Sequence, residues 1–494
     1  MIDVLFVNPL FLHEDPVESK LMTPYFPLGI LYIAAVAREA GYRVAVFDAM
    51  FAEDDAAFVE ALEAHRPRIV GFGVLATVRR AALRLAGLAK AHGATVMMGG
   101  ADPTARPDAY LEHLVDGEHV VDVVTVGEAE RTVEALLPVL LDEGVEMSCL
   151  QDVDGIAYRN AEGAVVRTSD RPLIDDIDAL PLPARDLVDW EPYRHAWRAH
   201  HGHFAMSLIA TRGCPFNCAW CQKIVFGRSF RPRDPRQVAD EMRVLKMRYQ
   251  PDFVRIVDDA MGIDKDWVRR WHDAVLDKDA VLPYECLSRV DLMDEEIGRW
   301  LKETGCQRIS FGAESGSQKV LDAMTKGTTV AQIRETAAIC RRVGIESYFY
   351  MMVGYPGETW EDLKRSVALL RETRPDEFST TIAYPLPGTA FYDQVKDRLP
   401  ATDGSIPDVD FDWNFTAENR LLFQRDEYST AFYRRVIRWF QHEWMDARIR
   451  AGDVNSSVMA RLKNTLALWR DRLLVTFLAL RPGKQVVGFQ TQQD

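Results

Sequence analysis

Short apolar runs alternate with segments of helical periodicity through the first part of the chain. Asp3–Pro9 reads as a buried strand, and helical spacing follows from Leu28 to Gly41. Arg43–Asp48, Arg68–Val74, Thr95–Gly100 and Val121–Gly127 repeat the strand pattern, with helices from about Val78 to His92 and from Glu128 onward. Apolar runs this short, bounded by Gly, Pro and Asp, suit strands covered on both faces. Five strand–helix units predict an α/β domain with a parallel, doubly wound sheet, whose ligands sit at the carboxyl ends of the strands. The residues at those ends are Asn8, Pro27, Leu28, Gly29, Leu75, Thr77, Gly99, Gly100, Asp102, Pro103, Thr104, Gly127 and Glu128. Glycines there admit close approach of a ligand to the backbone, although tight strand-to-helix turns require them too.

The pattern then changes and returns. From about Cys149 to His200 lies a connector with a small hairpin over Asp152–Thr168, turning at Glu162-Gly163, and a Pro-bounded stretch over Leu180–Asp186. Strand–helix alternation resumes with strands over Ala205–Ala210, Phe253–Asp258, Tyr284–Ser288, Arg308–Gly312, Ser347–Val353 and Phe378–Tyr384. Helices fill the gaps, for example over Gln237–Tyr249 and Val330–Val343. Six such units predict an open, partial TIM-type barrel with its active site at the carboxyl ends of the strands. After about Pro400 comes an acidic, aromatic loop (Asp408–Phe415), then amphipathic helices over Tyr428–Arg448 and Val458–Leu480. The last helix reads as packing against the barrel, with a membrane-surface helix as the alternative. The predicted divisions are 1–145, a linker over 146–200, a barrel over 201–395 and a helical region over 396–494.

Composition narrows the function. The chain has 494 residues, 48% of them hydrophobic and 27% charged, enough for several cores. A formal charge of -15 argues against a phosphate-tracking surface and so against nucleic acid as a partner. The start, Met1-Ile-Asp-Val, runs directly into a strand without a secretory pattern, and no apolar stretch reaches spanning length. Seven cysteines without a paired framework fit a reducing cytoplasm.

Three of those cysteines carry the chemistry. In Thr211-Arg-Gly-Cys-Pro-Phe-Asn-Cys-Ala-Trp-Cys-Gln222, Cys214, Cys218 and Cys221 are separated by three residues and then two. Thiolates held this tightly wrap around one centre, and iron–sulfur clusters use such local spacings. A structural zinc site wants four ligands at paired spacings, and the next cysteine, Cys286, is far downstream and unpaired. Four irons with three nearby cysteines would leave one iron open, the mark of a catalytic site.

This segment, with the aromatic Trp220 before the third cysteine, resembles the signature of the radical SAM enzymes. The resemblance implies a [4Fe-4S] cluster whose open iron chelates S-adenosylmethionine (SAM), reductive cleavage to a 5'-deoxyadenosyl radical, and an electron donor such as flavodoxin or ferredoxin. Further motifs follow in the family's order at the predicted strand ends. Asp258 and Asp259 are where relatives touch the SAM amino group, against a simpler helix-cap role. Arg289 could fork onto the SAM carboxylate, against a salt bridge to Asp291 or Glu314. Gly312-Ala-Glu314-Ser315-Gly resembles the family's Gly-x-Glu-Ser-Gly segment, with Glu314 a candidate for the ribose hydroxyls. Gly354, in Met352-Val-Gly-Tyr-Pro-Gly-Glu358, would form a backbone wall for adenine. Lys326 reads as a surface helix cap.

Ahead of that motif, the N-terminal domain resembles the Rossmann-like cobalamin-binding domain of the B12-dependent radical SAM group. Many B12 domains carry an Asp-x-His-x-x-Gly loop whose His ligates cobalt; here the stretch is Asp48-Ala-Met50-Phe-Ala-Glu53. Gly99-Gly100-Ala-Asp102-Pro103-Thr104 stands where close relatives have Gly-Gly-Pro-His-Pro-Thr. The resemblance implies cobalamin held base-off, without a histidine from the Asp48 loop. It further implies a small-molecule substrate and, most simply, C-methylation: one SAM methylates the cobalamin, and a second supplies the radical that activates an inert carbon. Oxidative cyclisation, as in the anaerobic magnesium-protoporphyrin monomethyl ester cyclase, is the alternative enzyme reading. A cobalamin or cluster sensor is the non-catalytic one.

Overall fold

The computed structural model describes residues 1–15, 17–142, 147–399, 427–454 and 457–479. The loop read at Asp408–Phe415 and the tail after Pro482 lie outside them. The chain divides into two compact units, one built mainly from Met1–Cys214 and Gln222–Arg255, the other from Pro215–Cys221 and the chain from Ile256 onward.

In the first unit, strands β1 (Val4–Asn8), β2 (Val44–Asp48), β3 (Ile69–Gly73) and β4 (Thr95–Gly99) fall where the apolar runs predict them. A two-stranded excursion follows, β5 (Leu114–Val115) and β6 (Glu118–His119), which the hydrophobic pattern does not announce. The sheet continues with β7 (Val123–Thr125), β8 (Ile156–Arg159) and β9 (Val165–Arg167). Its order is β2-β1-β3-β4-β7-β8-β9. The first five strands are parallel, while β8 and β9 add antiparallel. The hairpin expected in the connector therefore extends the sheet. The strand order reverses its progress between β1 and β3, which is where doubly wound sheets of this order open a ligand crevice. The core beneath includes Val4, Phe6, Ile69, Met97 and Val123 from the strands, and Ala34, Leu136 and Leu137 from helices Leu28–Glu39 and Glu130–Leu141.

The second sheet has six strands in chain order: β10 (Ala205–Leu208), β13 (Phe253–Met261), β14 (Tyr284–Ser288), β15 (Cys306–Glu314), β16 (Glu346–Val353) and β17 (Glu377–Ile382). The pairs from β14 to β17 are parallel. A separate ladder pairs β11 (Thr211–Arg212) with β12 (Arg231–Pro232), antiparallel. Helices alternate with the strands: Lys265–Asp277 starts on an Asp264 cap, Glu295–Glu303 on an Asp294 cap, and Val330–Val343 and Trp360–Thr373 each on a capping box. This is the predicted strand–helix repeat of a partial barrel.

The last two helices, Thr430–Ala451 and Val458–Ala479, sit within three residues of their expected ends. Thr430–Ala451 lies on the barrel's outer layer: Trp439 packs on Trp360 with ring centroids 5.1 Å apart, and Trp444 Nε1 donates to the Pro375 carbonyl at 2.9 Å. Val458–Ala479, expected on the barrel, packs instead on Thr430–Ala451, through buried Leu468, Asp471 and Val475.

Candidate functional site

The cysteine loop is built from its base upward. The β11–β12 ladder closes the loop's foot, and Gly213 takes φ +79 with no room for a side chain, since a Cβ would fall within 2 Å of the Ser229 carbonyl oxygen. Arg212, immediately before it, is buried and forks onto two carboxylates: Nη1 donates to Glu128 Oε1 at 2.6 Å and Nη2 to Glu130 Oε1 at 2.7 Å. Arg231 Nη1 donates to the other Glu128 oxygen at 2.7 Å, as does the Ile174 amide at 2.9 Å. Burial alone would lower the Arg212 pKa, but the charges of Glu130 and Glu128 outweigh it and hold the guanidinium above its ordinary value. Glu128, expected to meet cobalamin, instead has its carboxylate occupied by these buried donors.

Cys214 is buried, and Cys218 and Cys221 are half-buried. Main-chain bonds from Ala219 N to Met324 O and from Phe391 N to Ala219 O, both 2.9 Å, stitch the loop's far side to its own unit. Arg289, at the end of β14, lies against the same stretch. Its guanidinium carbon sits 3.6 Å from the Phe216 ring centroid, and Nη1 reaches Cys218 Sγ at 3.4 Å. Nε and Nη2 each meet Asp291 at 2.9 Å, and Nη2 also donates to the Lys326 carbonyl at 2.8 Å. The Asp291 salt bridge, the simpler of the two expectations for this residue, is thus present and takes the fork, and Nη1 faces the cysteine loop.

Glu314 ends β15 in the left-handed region (φ +60) and is buried. Its Oε1 accepts from Lys326 Nζ at 3.0 Å, and Lys326 Nζ stands 5.4 Å from the Trp220 ring centroid. Gly312 makes room for the pair: a Cβ there would come within 2.5 Å of both Glu314 Oε1 and Lys326 Nζ. Lys326, expected as a surface cap, is therefore corrected to a buried ion-pair partner, 5% exposed. Distance in sequence hid it, because nothing in Met324-Thr-Lys-Gly327 announces a partner twelve residues upstream.

Ser315, expected at SAM, is fully buried, its hydroxyl placed 3.2 Å from Ser366 Oγ and accepting from the Ser317 amide. It holds the turn against helix Trp360–Thr373 and has no surface to offer a ligand. Gly354 takes φ +77 and donates its amide to Glu358 Oε2 at 2.6 Å. Asp258 and Asp259 do not end their strand, since β13 runs on to Met261. They alternate, Asp258 buried and Asp259 exposed, and the following helix is capped by Asp264 rather than by either. Tyr355, next to Gly354, was missed from sequence. It is buried beside Met324 and Phe391 in the cluster that Trp220 joins, burial pushes its phenol up to about 12, and its hydroxyl has no hydrogen-bond partner among the described residues.

At the carboxyl edge of the first sheet the expected residues sort into two groups. Asp102 is buried and held bidentate by Arg79 at 2.6 and 2.7 Å, with Tyr110 Oη donating as well. Burial would raise its pKa, but Arg79 lowers it below the ordinary carboxylate value. Asp102 is a structural ion-pair partner rather than an open contact. Gly99 and Gly100 are glycine because of the protein's own neighbours: a Cβ would meet Thr125 Oγ1 at 2.3 Å and the Val74 carbonyl at 2.6 Å. Thr104 Oγ1 accepts from the Gly127 amide at 3.0 Å, and Pro103 is buried. Pro27 and Leu28 are buried at the start of helix Leu28–Glu39. Open positions remain at Gly29, Leu75 and Thr77, all exposed, and at Gly127, where a Cβ would meet nothing within 4 Å. A cleft of about 390 Å³ lined by Pro9, Phe11, Thr77, Arg80 and Arg84 adjoins the ends of β1 and β3. Beside it, Asn8 Nδ2 donates to Asp48 Oδ1 at 2.8 Å and Tyr193 Oη to Asp48 Oδ2 at 2.5 Å. Met50 is buried in the turn that Asp48 caps, so this loop offers no imidazole.

The donor set suits the expected groups. Three thiolates in one short loop match a cluster's local ligation. Among the described residues no three His, Cys, Asp or Glu side chains, these cysteines included, are gathered closely enough to hold a metal ion, so the match rests on the donor type and its spacing. The Radical SAM superfamily model matches residues 208–370, across the cysteine loop and the strand ends just described, and the B12 binding domain model matches residues 17–137. The chain belongs to the cobalamin-dependent radical SAM enzymes.

The enzyme is 28% identical over 386 residues to an uncharacterized methyltransferase of Pyrococcus horikoshii, covering 77% of this chain and 80% of that one. It is 28% identical over 408 residues to the anaerobic magnesium-protoporphyrin IX monomethyl ester cyclase of Rubrivivax gelatinosus, covering 81% and 71%. It is 27% identical over 448 residues to the cytidylyl-2-hydroxyethylphosphonate methyltransferase of Streptomyces wedmorensis, covering 78% and 80%. In fold it resembles the cobalamin-dependent S-adenosylmethionine radical enzyme OxsB with aqua-cobalamin and S-adenosylmethionine bound, at TM-score 0.71, 16% identity and coverage of 97% of this chain and 72% of that one. No helix among the described residues is long and apolar enough to cross a membrane.

Proposed function

We propose that this enzyme transfers a methyl group to an unactivated carbon of a small-molecule biosynthetic intermediate, in the cytoplasm, with electrons from a flavodoxin or ferredoxin. Cys214, Cys218 and Cys221 would hold a [4Fe-4S] cluster. Trp220, Glu314, Gly354 and one of Asp258 and Asp259 would line the SAM site. Leu75, Thr77, Gly29 and Gly127 would face cobalamin bound base-off, with no histidine from the Asp48 loop. When bound, these groups supply a carbon-centred radical and a transferable methyl.

The chain's own residues prepare the site for them. Arg289, anchored on Asp291, sets Nη1 3.4 Å from Cys218 Sγ, where it would donate to a ligating sulfur. Lys326 fixes the Glu314 carboxylate, leaving its second oxygen to accept from a hydroxyl. Trp220 packs on the apolar cluster of Val320, Met324, Met352 and Phe391, which would give the SAM site an apolar wall. The observation that carries the reading is the cysteine loop under Arg289, joined to likeness over 77% and 78% of this chain to two proteins named as methyltransferases. Cyclisation is not carried forward, because no feature of the site favours it over methyl transfer.

The test is anaerobic reconstitution with SAM labelled in its methyl group. Label is expected in the organic product together with 5'-deoxyadenosine. Deoxyadenosine with an unlabelled product would overturn methyl transfer. Cys214→Ala is expected to abolish both the cluster's absorbance and deoxyadenosine formation, and survival of either would overturn the cluster assignment.

A further inference from the structure

The last helix, Val458–Ala479, is apolar on two opposite faces. Leu468 and Val475, with Asp471, turn inward onto helix Thr430–Ala451. On the other side Leu462, Leu466, Trp469, Leu473 and Phe477 stand between 51% and 69% exposed. Their spacing of four, three, four and four residues places them in one stripe about 80° wide at 3.6 residues per turn. A packed helix has no need of this second face, and leaving such a stripe in water is unfavourable.

Charge indicates what covers it. Arg461 and Arg472 border the stripe on one side, and Lys463 and Arg470 on the other; Arg472 forks onto buried Glu443 and Arg470 Nε reaches buried Asp471, so each margin carries one cation paired within the fold beside a second, Arg461 or Lys463. The helix's single acid, Asp471, points away from the stripe, fully buried, accepting from Arg435, Arg470 and His442. The outer face therefore exposes cations and no carboxylate, in a chain whose formal charge is -15. A second copy of the chain is a poor occupant. In a two-fold contact each stripe would meet its own image, setting cationic margin against cationic margin. A surface with an apolar interior and an anionic skin is complementary on both counts, with Trp469 suited to the boundary between them.

We propose that the outer face of Val458–Ala479 docks the enzyme on an anionic lipid surface, the helix lying in the plane of the headgroups. The five apolar side chains enter the acyl boundary, while Arg461 and Lys463 meet lipid phosphates. The inference is independent of the methyl-transfer reading, and its readout is binding rather than turnover.

The test is flotation of the full chain with vesicles of equal parts phosphatidylglycerol and phosphatidylcholine, against phosphatidylcholine alone. Binding is expected on the mixed vesicles, roughly tenfold weaker on the neutral ones and weakened likewise by ~0.5 M salt. The double variant Leu466→Asp, Leu473→Asp changes only exposed positions and is expected to lose roughly tenfold or more in partition with an unchanged circular dichroism spectrum. Should that variant misfold, Lys463→Glu leaves the stripe intact and is expected to remove much of the preference for the anionic vesicles. Absence of flotation, equal binding to both vesicle types, or a dimer in solution that Leu473→Asp dissolves would each overturn the proposal.

Discussion

The carboxyl edges of the two sheets use charge in opposite ways. At the first sheet, Asp102 and Glu128 look like ligand contacts by position, yet both are enclosed by the chain's own arginines, Arg79 in one case and Arg212 with Arg231 in the other. What stays open there is small or apolar: Gly29, Leu75, Thr77 and Gly127. At the second sheet the charged residues are also paired, but the pairs lie against the cysteine loop itself, Arg289 on Phe216 and Cys218, Lys326 over Trp220. A charged strand end is therefore informative only once its partner is known. Charges paired away from the ligand hold the edge together, and charges paired beside it shape what binds.

This contrast can be broken most forcefully at the first sheet. Arg79→Met leaves Asp102 buried without its cation and is expected to cost about 3–5 kcal/mol in urea unfolding. Deoxyadenosine formation should persist in whatever protein stays folded, and a loss of SAM cleavage without loss of stability would erase the distinction drawn here. Gly312→Ala tests the second sheet. Its new methyl intrudes on both Glu314 and Lys326, and overpacking of this kind costs about 1–3 kcal/mol. Here SAM affinity, measured by equilibrium binding, should fall along with stability. Thr77→Ala touches an exposed side chain and should move stability by no more than about 0.5 kcal/mol. A fall in cobalamin affinity at unchanged stability is the expected result, and unchanged affinity would remove Thr77 from that site.

The smallest effect concerns pH. Asp362 joins the Glu314–Ser317 turn to helix Trp360–Thr373, accepting from Ser317 Oγ at 2.6 Å and Thr359 Oγ1 at 2.7 Å. Burial works to raise its pKa, but these hydrogen bonds prevail and hold it down to about 2 against an ordinary 3.8. A depressed carboxylate stabilises the fold fully above its unfolded value and loses that contribution as pH falls through the folded one. The Tm should thus drop more steeply between pH ~4 and ~2 than it does in Asp362→Asn. Parallel slopes would show that the turn does not depend on this carboxylate.

Most strands were legible because burial on both faces compresses them into apolar runs with sharp polar ends, as in Val4–Asn8 and Ile69–Gly73. Val330–Val343 was legible to the residue, since a capping box opens it and Gly344 closes it. The extension of β13 through Asp258 and Asp259 was not, because two consecutive acids imitate a strand end. Pairings were the least visible part. Arg79 and Asp102 are 23 residues apart, and Arg212 and Glu128 are 84 apart, and local pattern carries no trace of either contact. The cysteine loop was readable for the converse reason, since its three cysteines lie within eight consecutive residues.

The β8–β9 hairpin has a practical consequence for anyone dividing this chain. Cutting at residue 145, where the strand–helix repeat stops, would strip β7 of its outer neighbour and expose a bare row of amide and carbonyl groups along Val123–Thr125. Such a margin recruits strands from other molecules. A soluble fragment of the amino-terminal half should therefore retain Ile156–Arg167, the chain's own guard against fibrous self-association.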